Sequence, residues 1–279
     1  MSNILSKIYN RVFTYWQYAK EVQKLGLTFD EYCTFVFQRH SANNSIAKSK
    51  LFGKEILRTN TFWYVHSVLE LFNDEVYKFE SANQHPVIID CGTNIGLSLI
   101  YFKKLFPFSK ILGFEADPNL FNVCQKNLDT FKLSDIQLVN AAVWDKEGVV
   151  KFKLDNSLGG KISDNTSGEN LIEIKTVKLS HYLGKKIDFL KIDIEGAEYE
   201  VLKECQDHLN NVERLFVEYH SNLHSEQLLD ELLEIFKKAG FRYYIEEASD
   251  VMRYPFTEHT SLQNGFDLQL NISCYRPLF

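Results

Sequence analysis

From residue 86 onward, short apolar runs alternate with stretches whose apolar residues recur at helical spacing, the pattern of strand-helix-strand units feeding a parallel sheet. The runs Val87 to Asp90, Lys110 to Glu115, Ile136 to Ala142, Ile187 to Ile194, Leu215 to His220, Phe241 to Glu246 and Phe266 to Tyr275 are predicted strands. Ile95 to Phe106, Pro118 to Phe131, Ala197 to Leu209 and Ser225 to Ala239 are predicted helices, the last stopped by Gly240. Gly148 to Val177 departs from the alternation and reads as two strands around a polar loop, Asp155 to Asn170, that is, an inserted hairpin. Ahead of Pro86 the pattern differs. Residues 4–24 place Ile4, Ile8, Val12, Trp16 and Ala19 on one helical stripe, with Lys7, Arg11, Lys20 and Lys24 mostly turned away. Such a helix packs on its own domain, joins a second subunit as a homodimer surface, or lies on a membrane. Residues 27–82 continue in aromatic-rich helical or mixed patterns. The expected architecture is α/β: a doubly wound, mostly parallel seven-stranded Rossmann-like sheet over 83–279, with an insert at 148–177, behind an N-terminal helical cap over 1–82.

The composition fits a packed soluble domain: 279 residues, 45% hydrophobic and 24% charged, exclude disorder and low complexity. Thirty-one Lys and Arg against 37 Asp and Glu give a net charge of −6 spread through the chain, which argues against nucleic acid as a partner. The five cysteines form no CxxC pair, so zinc and dithiol chemistry are not indicated and a reducing compartment is expected. No apolar run approaches the ~20 residues of a membrane span, and the first 30 residues lack the basic-then-apolar order of an export signal. The expected location is cytoplasmic.

Four runs carry candidate chemistry. In the first, the strand Val87 to Asp90 passes into Cys91-Gly92-Thr93-Asn94-Ile95-Gly96 and opens a helix. Glycines there let the backbone turn sharply and a ligand approach it closely. The third glycine of a dinucleotide fingerprint is missing, which suits a nucleoside with an amino-acid tail rather than a pyrophosphate and weighs against a nicotinamide oxidoreductase. In the second, Gly113-Phe114-Glu115-Ala116-Asp117-Pro118 places acids at the end of the next strand, where a carboxylate can accept both ribose hydroxyls. Asp117, directly before Pro118, is equally a helix cap. The third run, Asn140-Ala141-Ala142, has small residues suited to an adenine slot. In the fourth, Leu190-Lys191-Ile192-Asp193-Ile194-Glu195 puts Lys191, Asp193 and Glu195 on one strand face, and Glu218 and His220 alternate likewise in Phe216-Val217-Glu218-Tyr219-His220. A buried parallel strand has no packing use for three charges, so these mark chemistry. Alternatively, Lys191 and Glu218 form a buried structural ion pair and His220 is only a polar residue near a helix.

Together, the DCGTNIG run with Glu115, LKIDIEGAE and VEYH resemble the FkbM-type methyltransferases. The resemblance covers about residues 60–240 and implies the class I Rossmann-like methyltransferase fold and S-adenosylmethionine as cofactor. It implies that Asp90, Gly92, Asn94 and Gly96 contact the methionine part, Glu115 the ribose, and that Asp193 lies near the transferred methyl. Thr93 and Ala116 stand where the family often has Ala and Pro. Hydroxyls on sugars, glycolipids or natural products are the acceptors the family suggests, making O-methylation of a carbohydrate the leading expectation. His220 or Asp193 is the expected base, His220 preferred because an unperturbed imidazole titrates near neutrality. Asp193, Glu195, Glu218 and His220 are alternatively a site for magnesium or manganese. A scaffold that retains the pocket without turnover is the competing class.

Overall fold

The computed structural model describes residues 25–28, 31, 35, 46–155, 159–162, 171–248, 256–257 and 266–277. The helix expected over residues 4–24, its dimer surface and most of the loop expected between 155 and 170 lie outside them. The described part of the N-terminal region is not simply a helical cap. It contains an antiparallel hairpin, β1 (Ala47–Leu51) and β2 (Lys54–Arg58), before helix α1 (Thr61–Phe72). In β1 charged residues alternate with smaller or apolar ones and exposure alternates with them, so a strand, not a helix, presents one face to the core. Asn127 joins the hairpin to the rest of the chain: its amide donates to the Leu57 carbonyl at 2.9 Å and accepts from the Leu57 N–H at 2.8 Å.

The main sheet then follows. β3 (Val87–Cys91), α2 (Leu97–Leu105), β4 (Lys110–Glu115), α3 (Pro118–Phe131) and β5 (Ile136–Asn140) form its first half. The expected third strand, Ile136 to Ala142, divides at Ala141. β6 (Ala142–Trp144) leaves to join a separate four-stranded sheet with β7 (Gly148–Asp155), β8 (Gly159–Ile162) and β9 (Leu171–Lys178). The second half comprises β10 (Phe189–Ile192), α4 (Glu198–Cys205), β11 (Arg214–Asn222), α5 (Leu229–Lys238), β12 (Arg242–Glu247) and β13 (Phe266–Tyr275). The seven strands lie in the order β12-β13-β11-β10-β3-β4-β5, and β13 alone runs against the others.

Alternation along the strands builds two cores. Ile88, Ile111, Phe189 and Phe216 face α1, α2 and α3, while their neighbours Ile89, Leu112, Leu190 and Val217 face α4 and α5. Both faces of the sheet are therefore covered, as a parallel sheet requires. Winding runs outward from β3 to β5, then crosses back to β10 and β11 on the other side. That reversal puts β3 beside β10, where the crevice beyond the strand ends accepts ligands.

Candidate functional site

At that crevice lies a cavity of about 350 Å³, within the ~300–1,000 Å³ usual for small-molecule sites. One end is formed by Glu115, Ala116, Ala141 and Ala142 at the ends of β4 to β6, the other by Asp193, Glu195 and His220 beyond β10 and on β11. A second cavity of about 320 Å³ opens under α1 and shares Gly92, Asn94, Asp193, Glu195 and His220 with the first. Those five residues are the partition between the two.

The predicted cofactor residues divide into lining and supporting groups. Gly92, Asn94, Glu115, Ala116, Ala141 and Ala142 line the first cavity, and Thr93 lines the second. Asp90 lies beneath, fully buried, accepting from Ser98 Oγ at 2.5 Å. Gly96 starts α2 and packs on Cys124 of α3. Asp117 caps α3, accepting from the Asn119 and Leu120 N–H groups, which is the capping alternative for this residue. Asn140 donates to the carbonyls of Glu115 and Ala116 at 2.8 and 3.2 Å and so shapes the wall without facing the cavity.

Glu115 is buried, with Oε2 accepting from Asn94 N at 2.7 Å and Oε1 from Asp117 N at 2.9 Å. Burial pushes its carboxyl up to about 7, against the pull of those two N–H groups. The sign follows: the fold favours the neutral acid, so this group's contribution to stability is present at low pH and is lost as pH rises through about 7. The ribose contact that the resemblance implies for Glu115 has the opposite sense, because accepting two hydroxyls requires the ionised form. Affinity for S-adenosylhomocysteine is expected to fall by up to about tenfold per pH unit below neutrality, and Glu115→Gln to flatten that slope in a calorimetric pH series. A slope unchanged by the substitution would remove Glu115 from the site.

Lys191 explains how the turn after β3 is held. Its buried ammonium lies 3.2 Å from Asp90 Oδ1 and 3.1 Å from Asp193 Oδ2 and donates to the Gly92 carbonyl at 2.7 Å. Burial opposes the charge, but Asp193 and Asp90 outweigh it and raise Lys191 above its ordinary range. Its partners are thus Asp90 and Asp193 rather than Glu218.

The third charge does not come from strand alternation. β10 ends at Ile192, and Glu195 stands in a left-handed turn with φ +60, a conformation that costs a non-glycine residue about 1–2 kcal/mol and is typical of functional sites. Glu198, at the start of α4, fastens this turn: Oε1 accepts from the Ile194 and Gly196 N–H groups at 3.2 and 3.0 Å and lies 3.1 Å from His220 Nδ1. Sequence reasoning missed Glu198 as a site residue, although it closes the LKIDIEGAE run. A capping acid at a helix start, a few residues beyond a charged strand end, was the available signal.

His220 sits among three acids. Besides Glu198, its Nε2 is 3.5 Å from Glu218 and 3.9 Å from Glu195. Phe266 covers the ring, with centroids 4.7 Å apart. Burial disfavours charge on the ring, yet Glu198 and Glu218 raise it well above its ordinary value. That direction favours the protonated ring, a poorer proton acceptor, and weighs against the expectation of His220 as base. Burial together with Asp193, Glu218 and Glu198 pushes the Glu195 carboxyl up to about 8, with His220 pulling against them. Ligand atoms of Asp193, Glu195 and His220 all lie within 4.8 Å of one another, whereas Glu218, expected with them, is outside that group.

The family model described as "Methyltransferase FkbM domain" matches residues 90–243. Methyltransferase 1 of Beauveria bassiana is 27% identical over 184 residues, covering 56% of this chain and 72% of that protein. Methyltransferase sdnD of Sordaria araneosa is 30% identical over 186 residues, 53% of this chain and 72% of the other. The 2-O-methyltransferase NoeI of Sinorhizobium fredii is 25% identical over 155 residues, 48% of this chain and 63% of the other.

Proposed function

Because the chain belongs to the FkbM family of S-adenosylmethionine-dependent methyltransferases, we propose that it methylates a hydroxyl of a sugar, glycolipid or natural product. The observation that carries this reading is the partition: a cavity ending in Glu115 and a second cavity meet at Asp193, Glu195 and His220. Donor and acceptor can thus reach one point from opposite sides. NoeI, a 2-O-methyltransferase, supports oxygen as the target.

S-adenosylmethionine, when bound, supplies a methyl on a sulfonium for in-line displacement. The protein's part is positioning, proton removal and charge stabilisation. Glu115 holds the ribose hydroxyls, and the small side chains of Ala141 and Ala142 leave room for a flat base. Lys191 fixes Asp193 and the Gly92 carbonyl, so the turn around the methionine end keeps its shape. Glu195 takes the hydroxyl proton, and the His220 imidazolium, 3.9 Å away, stabilises the negative charge that develops on the acceptor oxygen.

A second reading rests on the proximity of Asp193, Glu195 and His220. They are a donor set suited to magnesium or manganese, which would lower the hydroxyl's pKa directly after His220 had lost its proton.

The decisive experiment is calorimetric titration with S-adenosylhomocysteine, followed by methyl transfer assays in excess EDTA and with added magnesium. Binding that is lost in Glu115→Ala is expected. Binding without methyl transfer would return the chain to the scaffold class, absence of binding would sink the methyltransferase reading, and full activity in EDTA would discard the metal.

A further inference from the structure

The second cavity has a wall outside the matched family region. Residues 90–243 carry the family match, whereas Phe62, Trp63, His66, Ser67 and Glu70 line this cavity from α1. Their spacing puts them on one face of the helix. The opposite face supplies Val65 and Val68 to the core. The rim is aromatic: Phe62 and Trp63 meet edge-on at 4.9 Å, and Phe62 and His66 are parallel at 6.3 Å. Deeper, the lining is acidic, with Glu70, Asp193, Glu195 and Glu218 around it.

The local charges do not balance. Lys191 is held by Asp90 and Asp193, and His220 by Glu198 and Glu218. His220 also lies 3.9 Å from Glu195, so two cations stand against Asp90, Asp193, Glu195, Glu198 and Glu218, with Glu70 beside them; burial, with Glu218 and Asp193 nearby, pushes Glu70 up to about 7. A divalent ion on Asp193, Glu195 and His220 would still leave Glu70 and Glu218 facing the same space.

We propose that this cavity is the acceptor chamber, that α1 is its specificity wall, and that the acceptor is a polyhydroxylated ring without an anionic group, a neutral sugar rather than a uronate. This rests on the methyltransferase reading above. Several carboxylates around one space satisfy several hydroxyl donors, which a ring with a single hydroxyl would leave unmet. The apolar face of a pyranose fits against the rings of Trp63 and Phe62. Once Glu70 and Glu195 are ionised, in mildly alkaline solution, a carboxylate on the acceptor would add a like charge to a site that already holds surplus acids, and would be disfavoured. Trp63 and Glu70 are positioning residues for the acceptor, with no part in holding the nucleoside.

Calorimetry on the full-length protein saturated with S-adenosylhomocysteine, in mildly alkaline buffer, compares methyl glucoside with methyl glucuronide. The glucoside is expected to bind at least about tenfold more tightly, Trp63→Ala to remove most of that affinity, and Glu70→Gln to narrow the gap by raising glucuronide binding. In both variants S-adenosylhomocysteine affinity stays at the wild-type level, which shows that they fold. Equal or tighter glucuronide binding, binding of neither glycoside, or an unaffected Trp63→Ala each overturns the assignment. Failure of S-adenosylhomocysteine itself to bind is a different result, which sinks the methyltransferase reading and this one with it.

Discussion

Glu195→Gln is expected to slow methyl transfer by about 10²- to 10⁴-fold, the usual contribution of a positioned proton acceptor. Glutamine keeps the shape and the left-handed turn but cannot take the proton. Wild-type rate is expected to rise with pH until the Glu195 carboxyl, pushed up to about 8, is ionised. The variant lacks that limb. Because Glu195 lies on the partition and not at the nucleoside end of the first cavity, S-adenosylhomocysteine affinity is expected to remain at the wild-type level. The readout that decides is the pH profile of the rate under saturating cofactor. A variant with wild-type rate and an unchanged profile would eliminate Glu195 as the base, and a full loss in His220→Gln beside it would restore the imidazole to that role.

Gly92→Ala is expected to destabilise the protein by about 3–5 kcal/mol, from overpacking and a left-handed backbone combined. Gly92 has φ +90, and a Cβ there would stand 1.9 Å from the backbone carbonyl oxygen of Asp193. That oxygen belongs to the adjoining chain beyond β10, so β3 and β10 would have to separate where the two cavities meet. A fall in Tm of roughly 10 °C, with no detectable S-adenosylhomocysteine binding, is the expected result. Gly53→Ala is the control: φ is +76, but nothing lies within 4 Å of a Cβ there. It is expected to cost only about 1 kcal/mol, the price of the backbone conformation. Equal effects of the two substitutions would show that conformation, not the contact with Asp193, dominates at Gly92.

The strands of the main sheet were legible because each carries its own apolar run bounded by turn residues, and β4, α3 and β13 have the predicted boundaries. The break at Ala141 was not, since Ile136 to Ala142 holds no glycine or proline to mark it, and only the last residue, Ala142, turns away to pair with Thr176 of β9. The hairpin β1–β2 was hidden for a similar reason: its short alternation of charged residues resembles a solvated helix face until Leu51 and Ile56 are seen to be fully buried. In the site, period-two reasoning correctly placed Glu218 beside His220 but extended β10 past Ile192, and so assigned Glu195 to a strand face when a left-handed turn carries it. The upward push on the His220 imidazole could not be read from sequence. It depends on Glu198, Glu218 and Glu195 converging from three elements, and that is a property of the fold.

The position of β13 imposes an order of events during synthesis. β12 is translated before β13, yet in the sheet it touches only β13, which is inserted between it and β11. A nascent chain that has emerged as far as β12 therefore has no sheet neighbour for that strand, and the edge of β11 stays bare until the later segment arrives. Phe266, which covers His220, arrives with it. Pairings this distant in sequence close slowly, so the interval in which β11 and β12 both present open edges is when the chain is most exposed to edge-to-edge association.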